Sequence, residues 1–335
     1  MATIKDISKA CNVSPATVSK ALNGYGDIGE ATRERILAYA KAIKYTPNAA
    51  ARQLKTNMSY NIGVLFADET RSGLTHEFFS GILEAAKNEA ERLGFDITFI
   101  SHRLSGRDTS FLEHARYRKC DGVLIASVDF HNPAVIELVR SEIPVVSIDY
   151  VYNDRSSILS DNMDGEYQLT KYLIDHGHKR IAFIHGESTS VTEKRLVGFH
   201  RALEEGGIKV SEDYLIEARY HDPKSCERAT EQLMNLKSPP TAILYPDDFS
   251  YMGAMRYFER MDISVPEDVS VAGYDGINLS QVVHPRLTTY YQDTTEIGRR
   301  SARKLVDLIE NPKTTIPEQI MVSGKILEGH TVMSL

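Results

Sequence analysis

A short stretch near the N-terminus carries side chains that could contact a nucleic acid. Ser14 can cap a helix and Pro15 suits its first position, so we predict a helix from there to about residue 23. Val18 and Leu22 are four residues apart and can pack inward. The outward side is left with small, hydroxylated or basic residues, namely Pro15, Ala16, Thr17, Ser19 and Lys20. A face of this composition fits the groove of a duplex.

Two further helices can support that face. Thr3 and Asp6 have the spacing of a capping box, which predicts a first helix over residues 4–11. A third helix is expected after Gly29. Its apolar side is predicted to consist of Thr32, Ile36, Leu37, Ala40 and Ile43. Three short helices around one small core form a helix-turn-helix module.

The charge of the chain is divided unevenly. Residues 1–60 hold nine Lys and Arg against four Asp and Glu, a net charge of +5, whereas the whole chain of 335 residues carries −7. The remaining residues therefore carry −12. A basic head on an acidic body is typical of a protein that contacts phosphates at one end only.

One glycine-rich segment of the head matches a nucleotide-binding motif. Gly24, Gly26 and Gly29 have the spacing G-x-G-x-x-G. That motif binds a dinucleotide when a strand precedes it and an acidic residue follows about twenty residues later, at the end of a second strand. Here a helix is predicted before the motif and no such acid follows it. The sequence therefore disfavours a nucleotide, and we expect no cofactor.

The segment after the head is predicted to form a short hinge helix. Pro47 ends the third helix, Asn48 can cap a new one, and good helix formers continue to the polar residues 56–61. A helix of this length is marginal alone in water. We therefore expect it to order only against a partner or a ligand, as a switch between two domains requires.

From residue 61 the sequence alternates between strands and helices, and the series occurs twice. Strand-like runs are predicted at residues 62–66, 97–100, 123–126, 145–148, 181–184, 215–220, 242–245 and 269–273. The tail returns with a strand over 287–293, a helix over 294–310 and strands from residue 318. This pattern predicts an α/β core of two parallel-sheet lobes with a cleft between them.

These elements set the expected domain boundaries. The head covers residues 1–46 and the hinge covers 47–60. The first lobe is predicted at 61–160 plus 292–322, and the second lobe at 161–291 plus 323–335.

Polar residues follow several of the predicted strands. Asp149, Tyr220 and Asp247 each lie at the end of a strand-like run. Ligands of parallel sheets bind at the carboxyl ends of the strands. Carboxylates and an aromatic face suit the hydroxyls and the apolar ring face of a sugar. A surface ion pair is the alternative for each carboxylate.

The order of several motifs resembles the lactose/galactose repressor (LacI/GalR) family of bacterial transcription regulators. The motifs lie at residues 4–7 (IKDI), 13–19 (VSPATVS), 32–35 (TRER), 45–52 (YTPNAAAR), 273–275 (GYD) and 285–289 (PRLTT). The resemblance implies an all-α helix-turn-helix head, a hinge helix and a core like the type I periplasmic sugar-binding proteins. It also implies a homodimer that binds near-palindromic double-stranded operator DNA.

The resemblance assigns residues of the head and hinge to DNA. Pro15, Ala16 and Lys20 match positions that face the major groove. Leu54 matches a leucine that wedges into the minor groove, although a core position is the alternative. The family commonly has an arginine at the position of Lys20. Lysine binds guanine with a less rigid geometry than the fork-shaped arginine does. The predicted contact set is Thr3, Ser14, Pro15, Ala16, Thr17, Ser19, Lys20, Asn23, Asn48, Ala51, Arg52, Leu54 and Lys55.

The resemblance also assigns an effector site in the core. Arg195 and Asp275 match the family's effector-binding pair, which adds a fork-shaped donor to the acceptors at the strand ends. His76 occupies a position where the family often has a pocket-facing residue, and a capped helix start explains it nearly as well. The predicted effector-binding residues are His76, Asp149, Arg195, Tyr220, Asp247 and Asp275.

Other function classes find little support. Three distant cysteines, Cys11, Cys120 and Cys226, indicate neither a disulfide framework nor a zinc site. His176-Gly177-His178 is predicted to end a helix in solvent, so we expect no metal site. No catalytic spacing stands out, and no apolar run suits a membrane span or a leader.

We therefore expect a cytoplasmic, sugar-responsive repressor that is associated with the nucleoid when it binds its operator, and not an enzyme. The tail has no leucine heptads, which favours a dimer over a tetramer. A solute-binding protein is one alternative, which the basic head and the missing leader disfavour. A sugar-active or nucleotide-dependent enzyme is another. The identity of the effector and the sign of the response stay open.

Overall fold

The computed structural model describes residues 3–22, 24–45, 58–67, 73–104, 106–209 and 211–335. The chain divides into two compact units between Ser59 and Tyr60. The smaller unit is a helical head and the larger unit is an α/β core. Residues 47–57 of the predicted hinge lie outside the described residues.

Three short helices form the head: α1 (Ile4–Ala10), α2 (Pro15–Leu22) and α3 (Glu30–Ala42). Thr3 Oγ1 accepts a hydrogen bond from the backbone N–H of Asp6 at 3.3 Å, and the N–H of Thr3 donates to the Asp6 carboxylate at 2.9 Å. These bonds form the predicted capping box. Ser14 Oγ accepts from the N–H of Thr17 at 3.1 Å, as expected of an N-cap.

The head closes around a small apolar core. Its buried members are Ile7, Cys11, Val18, Ala21, Ile36 and Ala40. Leu22 packs against this core and is only partly buried. The prediction that Leu37 packs inward is wrong, because 43% of this residue is exposed. Ile36 and Ala40 already fill the inner side of α3, and each step along a helix turns about 100°, which points Leu37 away from the core.

The core alternates strands and helices. Its strands are β1 (Asn61–Leu65), β2 (Asp96–Ile100), β3 (Arg103–Leu104), β4 (Arg107–Asp108), β5 (Gly122–Ile125), β6 (Val145–Ile148), β7 (Ser156–Ser160), β8 (Ile181–His185), β9 (Leu215–Glu217), β10 (Ala242–Leu244), β11 (Ser270–Asp275), β12 (Thr288–Tyr291), β13 (Gln319–Val322) and β14 (Lys325–Leu327). Its helices are α4 (Glu77–Arg92), α5 (Phe111–Tyr117), α6 (Pro133–Arg140), α7 (Asn162–Asp175), α8 (Ser190–Glu205), α9 (Pro223–Met234), α10 (Asp248–Met261), α11 (Asn278–Val282) and α12 (Thr294–Glu310), with 3-10 turns at Gly73–Thr75 and Glu212–Tyr214.

The strands build two six-stranded sheets, one in each lobe. The first has the order β13-β7-β6-β5-β1-β2 and the second has the order β14-β12-β11-β10-β8-β9. Neighbouring strands in both sheets are parallel, with the exception of β14, which runs antiparallel to β12. The prediction of two parallel-sheet lobes is confirmed. Hairpin β3–β4 stands apart from both sheets.

The lobes are joined by three chain crossings. The chain leaves the first sheet after β7, returns to that lobe after β12 and passes again to the second sheet between β13 and β14. Helix α12 packs along α4 on the first lobe. Gly298 permits this approach, because a Cβ atom there would lie 2.2 Å from the carbonyl oxygen of Ile82.

Two local predictions for the core differ from the structure. The strand predicted over 215–220 is shorter, since β9 ends at Glu217. The solvent position predicted for His178 is wrong, because only 1% of this residue is exposed. Its Nδ1 lies 3.0 Å from Thr241 Oγ1 and its Nε2 lies 3.1 Å from the carbonyl oxygen of Met333. Burial lowers the pKa of His178, which favours the neutral ring. In this form the ring is hydrogen-bonded to the C-terminal segment at Met333.

The described residues were also compared with the expectations for cysteines, metal ligands and apolar helices. Cys11, Cys120 and Cys226 are buried free thiols. Within the described ranges, His, Cys, Asp and Glu side chains form no group of three or more that could hold a metal ion. No helix in those ranges combines the length and the apolar character that crossing a bilayer needs.

Candidate effector site and DNA-facing helix

The outward side of α2 presents the side chains that were assigned to DNA. Ser14, Pro15, Ala16 and Lys20 are exposed, and Lys20 pairs with the carboxylate of Asp27. The ammonium group of Lys20 has three N–H donors, so a base or phosphate can share Lys20 with Asp27 or replace Asp27. Thr3 is exposed too, whereas Thr17 and Ser19 are half-buried. The remaining predicted contacts, Asn23, Asn48, Ala51, Arg52, Leu54 and Lys55, lie outside the described residues.

In the core, the strand ends gather the predicted effector residues. Asp275 is the last residue of β11 and Asp149 directly follows β6. Asp247 lies three residues after β10, and Tyr220 lies three residues after β9. Parallel sheets bind ligands at this edge because loops of several strands meet there.

Arg195, on α8, is the cation of the site and is only 4% exposed. Its Nε donates to Asn162 Oδ1 at 2.9 Å and its Nη1 donates to the carbonyl oxygen of Pro246 at 2.7 Å. The guanidinium carbon lies 3.5 Å from the centre of the Tyr274 ring and 5.6 Å from that of Tyr220. The guanidinium is thus held against aromatic rings in a dry environment, where cation–π attraction is strongest.

Asp275 lies next to this cation in a strained backbone conformation. Its φ angle of 100° falls in a region that favours glycine, and such strain is typical of functional sites. Oδ1 accepts a hydrogen bond from Gln292 Nε2 at 2.7 Å. Burial raises the pKa of Asp275 to about 8, and Arg195 opposes this shift. At neutral pH the group mostly carries its proton, so it can donate to or accept from a hydroxyl.

Asp149 and Asp247 use their carboxylates to hold loops. Asp149 accepts from the N–H of Ser160 at 2.6 Å and from its hydroxyl at 3.2 Å. Asp247 caps α10 through the N–H of Ser250 at 2.7 Å and accepts from the N–H of His221 at 2.9 Å. The alternative of a surface ion pair does not fit either residue, because both carboxylates are engaged by backbone and hydroxyl donors.

Tyr220 and Asp248 lie on the second lobe, as Asp247 does. The Tyr220 hydroxyl lies 2.9 Å from Thr192 Oγ1, and burial raises the pKa of the phenol. Asp248, which the sequence did not single out, is buried and accepts from the N–H of Ile277 at 3.0 Å and from Thr289 Oγ1 at 2.6 Å. Gly273 leaves room for it, because a Cβ atom there would lie 2.2 Å from Asp248 Oδ1.

A stack of three rings connects the lobes beside these residues. His76, at the start of α4, stacks on His221 of the second lobe with ring centres 4.1 Å apart and 15° between the planes. His221 stacks in turn on Phe249 at 4.0 Å and 15°. His76 is the N-cap residue of α4, but its side chain makes no capping hydrogen bond. Next to it, Glu77 Oε1 accepts from the N–H of Asn278 at 2.6 Å, which adds a second contact between the lobes.

Sequence reasoning missed several members of the site. His221 follows Tyr220, Phe249 follows Asp247 and Asp248, and Tyr274 precedes Asp275. Their adjacency to predicted residues was the only available signal. The order of residues in a loop does not say which rings meet across a cleft.

We expect the replacement His221→Ala to loosen the contact between the lobes. The variant removes the middle ring and both stacking contacts, which together contribute about 2 kcal/mol, equivalent to roughly 4–8 °C in Tm. Calorimetry measures the Tm, and small-angle scattering is expected to record a larger radius of gyration. His200→Ala, which removes an exposed ring, is the control. If both variants match the parent in Tm and scattering, the stack does not hold the lobes.

Two family models match the chain. Residues 3–48 match the model described as bacterial regulatory proteins, lacI family, and residues 170–332 match that of the periplasmic binding protein-like domain. The first match covers the helical head and the second lies in the α/β core.

Relatives extend the match to the full length. The chain is 33% identical over 339 residues to the probable HTH-type transcriptional repressor ExuR of Bacillus subtilis (strain 168), covering 100% of this chain and 99% of that protein. The solved lac repressor dimer bound to operator and the anti-inducer ONPF has a TM-score of 0.78 at 26% identity and 99% coverage of both chains. The complex of the transcriptional regulator CelR with cellobiose has a TM-score of 0.71 at 25% identity and covers 99% of this chain and 100% of that one. With its helix-turn-helix head and two-lobed core, the chain belongs to the lacI family of bacterial regulatory proteins, DNA-binding repressors that carry an effector-binding domain.

Proposed function

We propose that a small carbohydrate, bound in the cleft of the core, controls the operator affinity of this regulator. The observation that supports the proposal is the buried set around Arg195, in which a guanidinium lies on Tyr274 with Tyr220 and Asp275 beside it. Such a set supplies donors and acceptors for hydroxyls and flat faces for the apolar side of a sugar ring. The structural similarity to a regulator in complex with cellobiose supports the same class of ligand.

Both lobes contribute to the site, so a bound sugar can favour one lobe arrangement over another. His76 of the first lobe meets His221 of the second, and Ser190 Oγ donates to the carbonyl oxygen of Asp149 across the same gap at 3.5 Å. A ligand shifts such an equilibrium by its difference in affinity for the two arrangements. We propose that residues 47–57 gain or lose helical order with this shift and change operator affinity by about 5- to 150-fold.

The DNA side of the proposal follows from the head. A homodimer would present two α2 helices to a near-palindromic operator, with Pro15, Ala16 and Lys20 in the major groove and Leu54 in the minor groove. We keep the head at 1–46, the hinge at 47–60 and the lobes at 61–160 with 292–322 and 161–291 with 323–335. Binding to chromosomal DNA implies action in the cytoplasm.

The experiment that tests the proposal measures operator binding with and without sugar. The full chain is used to select duplexes from a random-sequence pool, and affinity for the selected site is titrated at fixed salt, because phosphate contacts make it salt dependent. We expect a sugar that raises the Tm of the core to change this affinity at least fivefold. Sugar binding without selection of a duplex would favour a solute-binding protein, and turnover of the sugar would favour an enzyme.

Deletion of residues 48–57 separates the hinge from the rest of the mechanism. We expect the deleted protein to lose specific operator binding and to keep the sugar-induced rise in Tm. An unchanged affinity for the selected duplex would rule out the hinge as the coupling element. Size-exclusion chromatography at micromolar concentration tests the dimer, which a monomer both with and without operator would refute.

A further inference from the structure

We propose that Asp248 is a positioning residue of the effector site, which fixes the turn after β11 so that the carboxyl group of Asp275 is presented to a bound sugar. The inference rests on the proposed carbohydrate effector and adds the residue that prepares the site for it. It follows from the hydrogen bonds that meet at one buried carboxyl group.

The turn after β11 has a backbone conformation that needs support. Asp275 has a φ angle of 100° and Gly276 has one of 69°, so two successive residues lie in the region that favours glycine. A Cβ atom at Gly276 would lie 2.7 Å from the Cα atom of Tyr291, because the turn packs directly against the end of β12. A residue with a side chain, such as Asp275, keeps this conformation only where its surroundings hold it.

Hydrogen bonds hold this turn at two points. At the first point, the N–H of Gln292 donates to the carbonyl oxygen of Asp275 at 3.1 Å, and Gln292 Nε2 donates to Asp275 Oδ1 at 2.7 Å. At the second point, the N–H of Ile277 donates to Asp248 Oδ2 at 3.0 Å. Gln292 thus holds Asp275 itself, and Asp248 holds the backbone two residues later.

Asp248 is itself fixed, so it can act as an anchor for the turn. It is the first residue of α10 and is buried. Its Oδ1 lies 2.6 Å from Thr289 Oγ1, and Thr289 lies on β12 and is buried too. The carboxyl group of Asp248 therefore ties α10 and β12 to the turn that carries Asp275.

The anchoring role needs an acceptor atom and does not need a negative charge. Burial raises the pKa of Asp248 well above its ordinary value, which favours the protonated carboxyl group. In this form one oxygen still accepts from the N–H of Ile277, while the other can donate to Thr289 Oγ1. An amide has the same arrangement of one acceptor and one donor, so asparagine can imitate the protonated acid.

Two substitutions of Asp248 separate the acceptor from the charge. Asp248→Asn keeps the acceptor for Ile277, so we expect a sugar Kd within about threefold of the parental value. Asp248→Ala removes the acceptor, and we expect it to weaken sugar binding about tenfold or more, because Asp275 is then no longer preorganised. Thr289→Val removes only the other partner of the carboxyl group. It is the control for lost stability and is expected to keep the parental Kd.

A third variant removes the donor of the same hydrogen bond. Ile277 has a φ angle of −68°, which is close to the angle that proline imposes. Ile277→Pro therefore deletes the N–H at a compatible φ angle and leaves Asp248 bonded to Thr289. We expect the same loss of sugar affinity as in Asp248→Ala, and this variant provides the test if Asp248→Ala does not fold.

Sugar binding is measured on the full-length protein. Thermal shift with glucose, galactose, mannose, ribose, xylose, maltose and cellobiose finds a sugar that binds the parent, and calorimetry gives its Kd for each variant. The Tm of each variant without sugar measures stability. The double variant Asp248→Ala/Asp275→Ala shows whether Asp248 acts through Asp275. We expect it to bind no more weakly than Asp275→Ala alone, because a positioning residue has no effect once the positioned group is absent.

The matched variants also define which results would overturn the positioning role. An unchanged Kd in both Asp248→Ala and Ile277→Pro would overturn it. Equal losses of affinity in Asp248→Ala and Thr289→Val would do so too, because affinity would then follow stability. Additive losses in the double variant would separate Asp248 from Asp275. If none of these sugars shifts the Tm of the parent, the proposed carbohydrate function is contradicted, and the role of Asp248 in sugar binding falls with it.

Discussion

Arg195→Met is expected to abolish the sugar-induced rise in Tm and to destabilise the core by about 3 kcal/mol. The substitution keeps much of the side-chain volume but removes the charge. Asn162 Oδ1 and the carbonyl oxygen of Pro246 lose their donor, and the face of Tyr274 loses its cation. Buried hydrogen bonds to a charged group and desolvated cation–π contacts are both strong, so the losses combine.

A matched variant on the same helix separates this effect from a general loss of positive charge. Arg201 lies on α8 six residues after Arg195 and pairs with Glu205 at 3.0 Å, but its side chain is 58% exposed. We expect Arg201→Met to leave both the stability and the sugar response close to those of the parent, as exposed ion pairs contribute little. Calorimetry of both variants, with and without sugar, gives the two readouts. A normal sugar response in Arg195→Met would remove Arg195 from the site.

The lobes were predictable because buried parallel strands are short, continuous apolar runs. Residues 145–148, for example, were predicted as a strand and form β6 with every residue buried. Strand β7 was missed because Ser156, Ser157 and Ser160 dilute its apolar pattern. The structure buries these serines all the same. The Ser156 hydroxyl accepts from the N–H of Glu318 at 3.2 Å, a partner from the returning tail that local sequence cannot reveal.

The candidate site was only partly accessible to sequence reasoning. Asp149, Tyr220 and Asp247 could be found from the rule that ligands bind at strand ends, whereas Arg195 and Asp275 depended on the resemblance to a family. That resemblance is confirmed by the full-length relatives. Its assignment of particular residues to effector and operator stays a prediction.

The sequence did not predict the ring contacts of the site, because they form between distant parts of the chain. His76 lies on the first lobe, whereas His221 and Phe249 belong to the second, and their stacking follows from how the lobes meet. Helical and strand periodicity report only which side of one element is apolar. They carry no information on which ring faces which.

A buried acid with no hydrogen-bond partner makes the stability of the core depend on pH. Glu166 is 1% exposed, and neither of its carboxyl oxygens has a partner among the described residues. Burial raises its pKa to about 8 from an ordinary value of 4.5, against the opposing charge of Arg195. Between about pH 4.5 and 8, the folded state therefore keeps the proton on Glu166, whereas the unfolded chain has released it. Its contribution to stability is fully present below pH 4.5 and is lost as the pH rises through 8.

Other acids also make the stability of the core depend on pH. Some act in the same direction as Glu166, and others act in a different pH range. Asp275 has a pKa raised to about 8 as well, so it also makes stability fall between about pH 4 and 8. Glu89 and Glu296 have pKa values lowered to about 2 by hydrogen bonds from arginines. Their contribution is present above about pH 4.5 and is lost only as the pH falls towards 2. Between pH 5 and 8, the raised pKa values of Asp248 and Asp149 act in the same direction as those of Glu166 and Asp275, whereas the lowered pKa of His178 acts in the opposite direction.

Glu166→Gln is therefore expected to raise the stability of the core by several kcal/mol at pH 8 and to change it little near pH 4.5. The amide keeps the shape of the carboxyl group but cannot ionise. The fall in stability between pH 5 and 8 therefore becomes shallower by the contribution of Glu166, while the contributions of Asp275 and the other shifted groups remain. Denaturant unfolding at a series of pH values measures the slope. Glu204→Gln, at an exposed position on α8, is the control and keeps the parental slope. A Glu166→Gln protein whose stability falls as steeply as that of the control would show that Glu166 does not hold this proton.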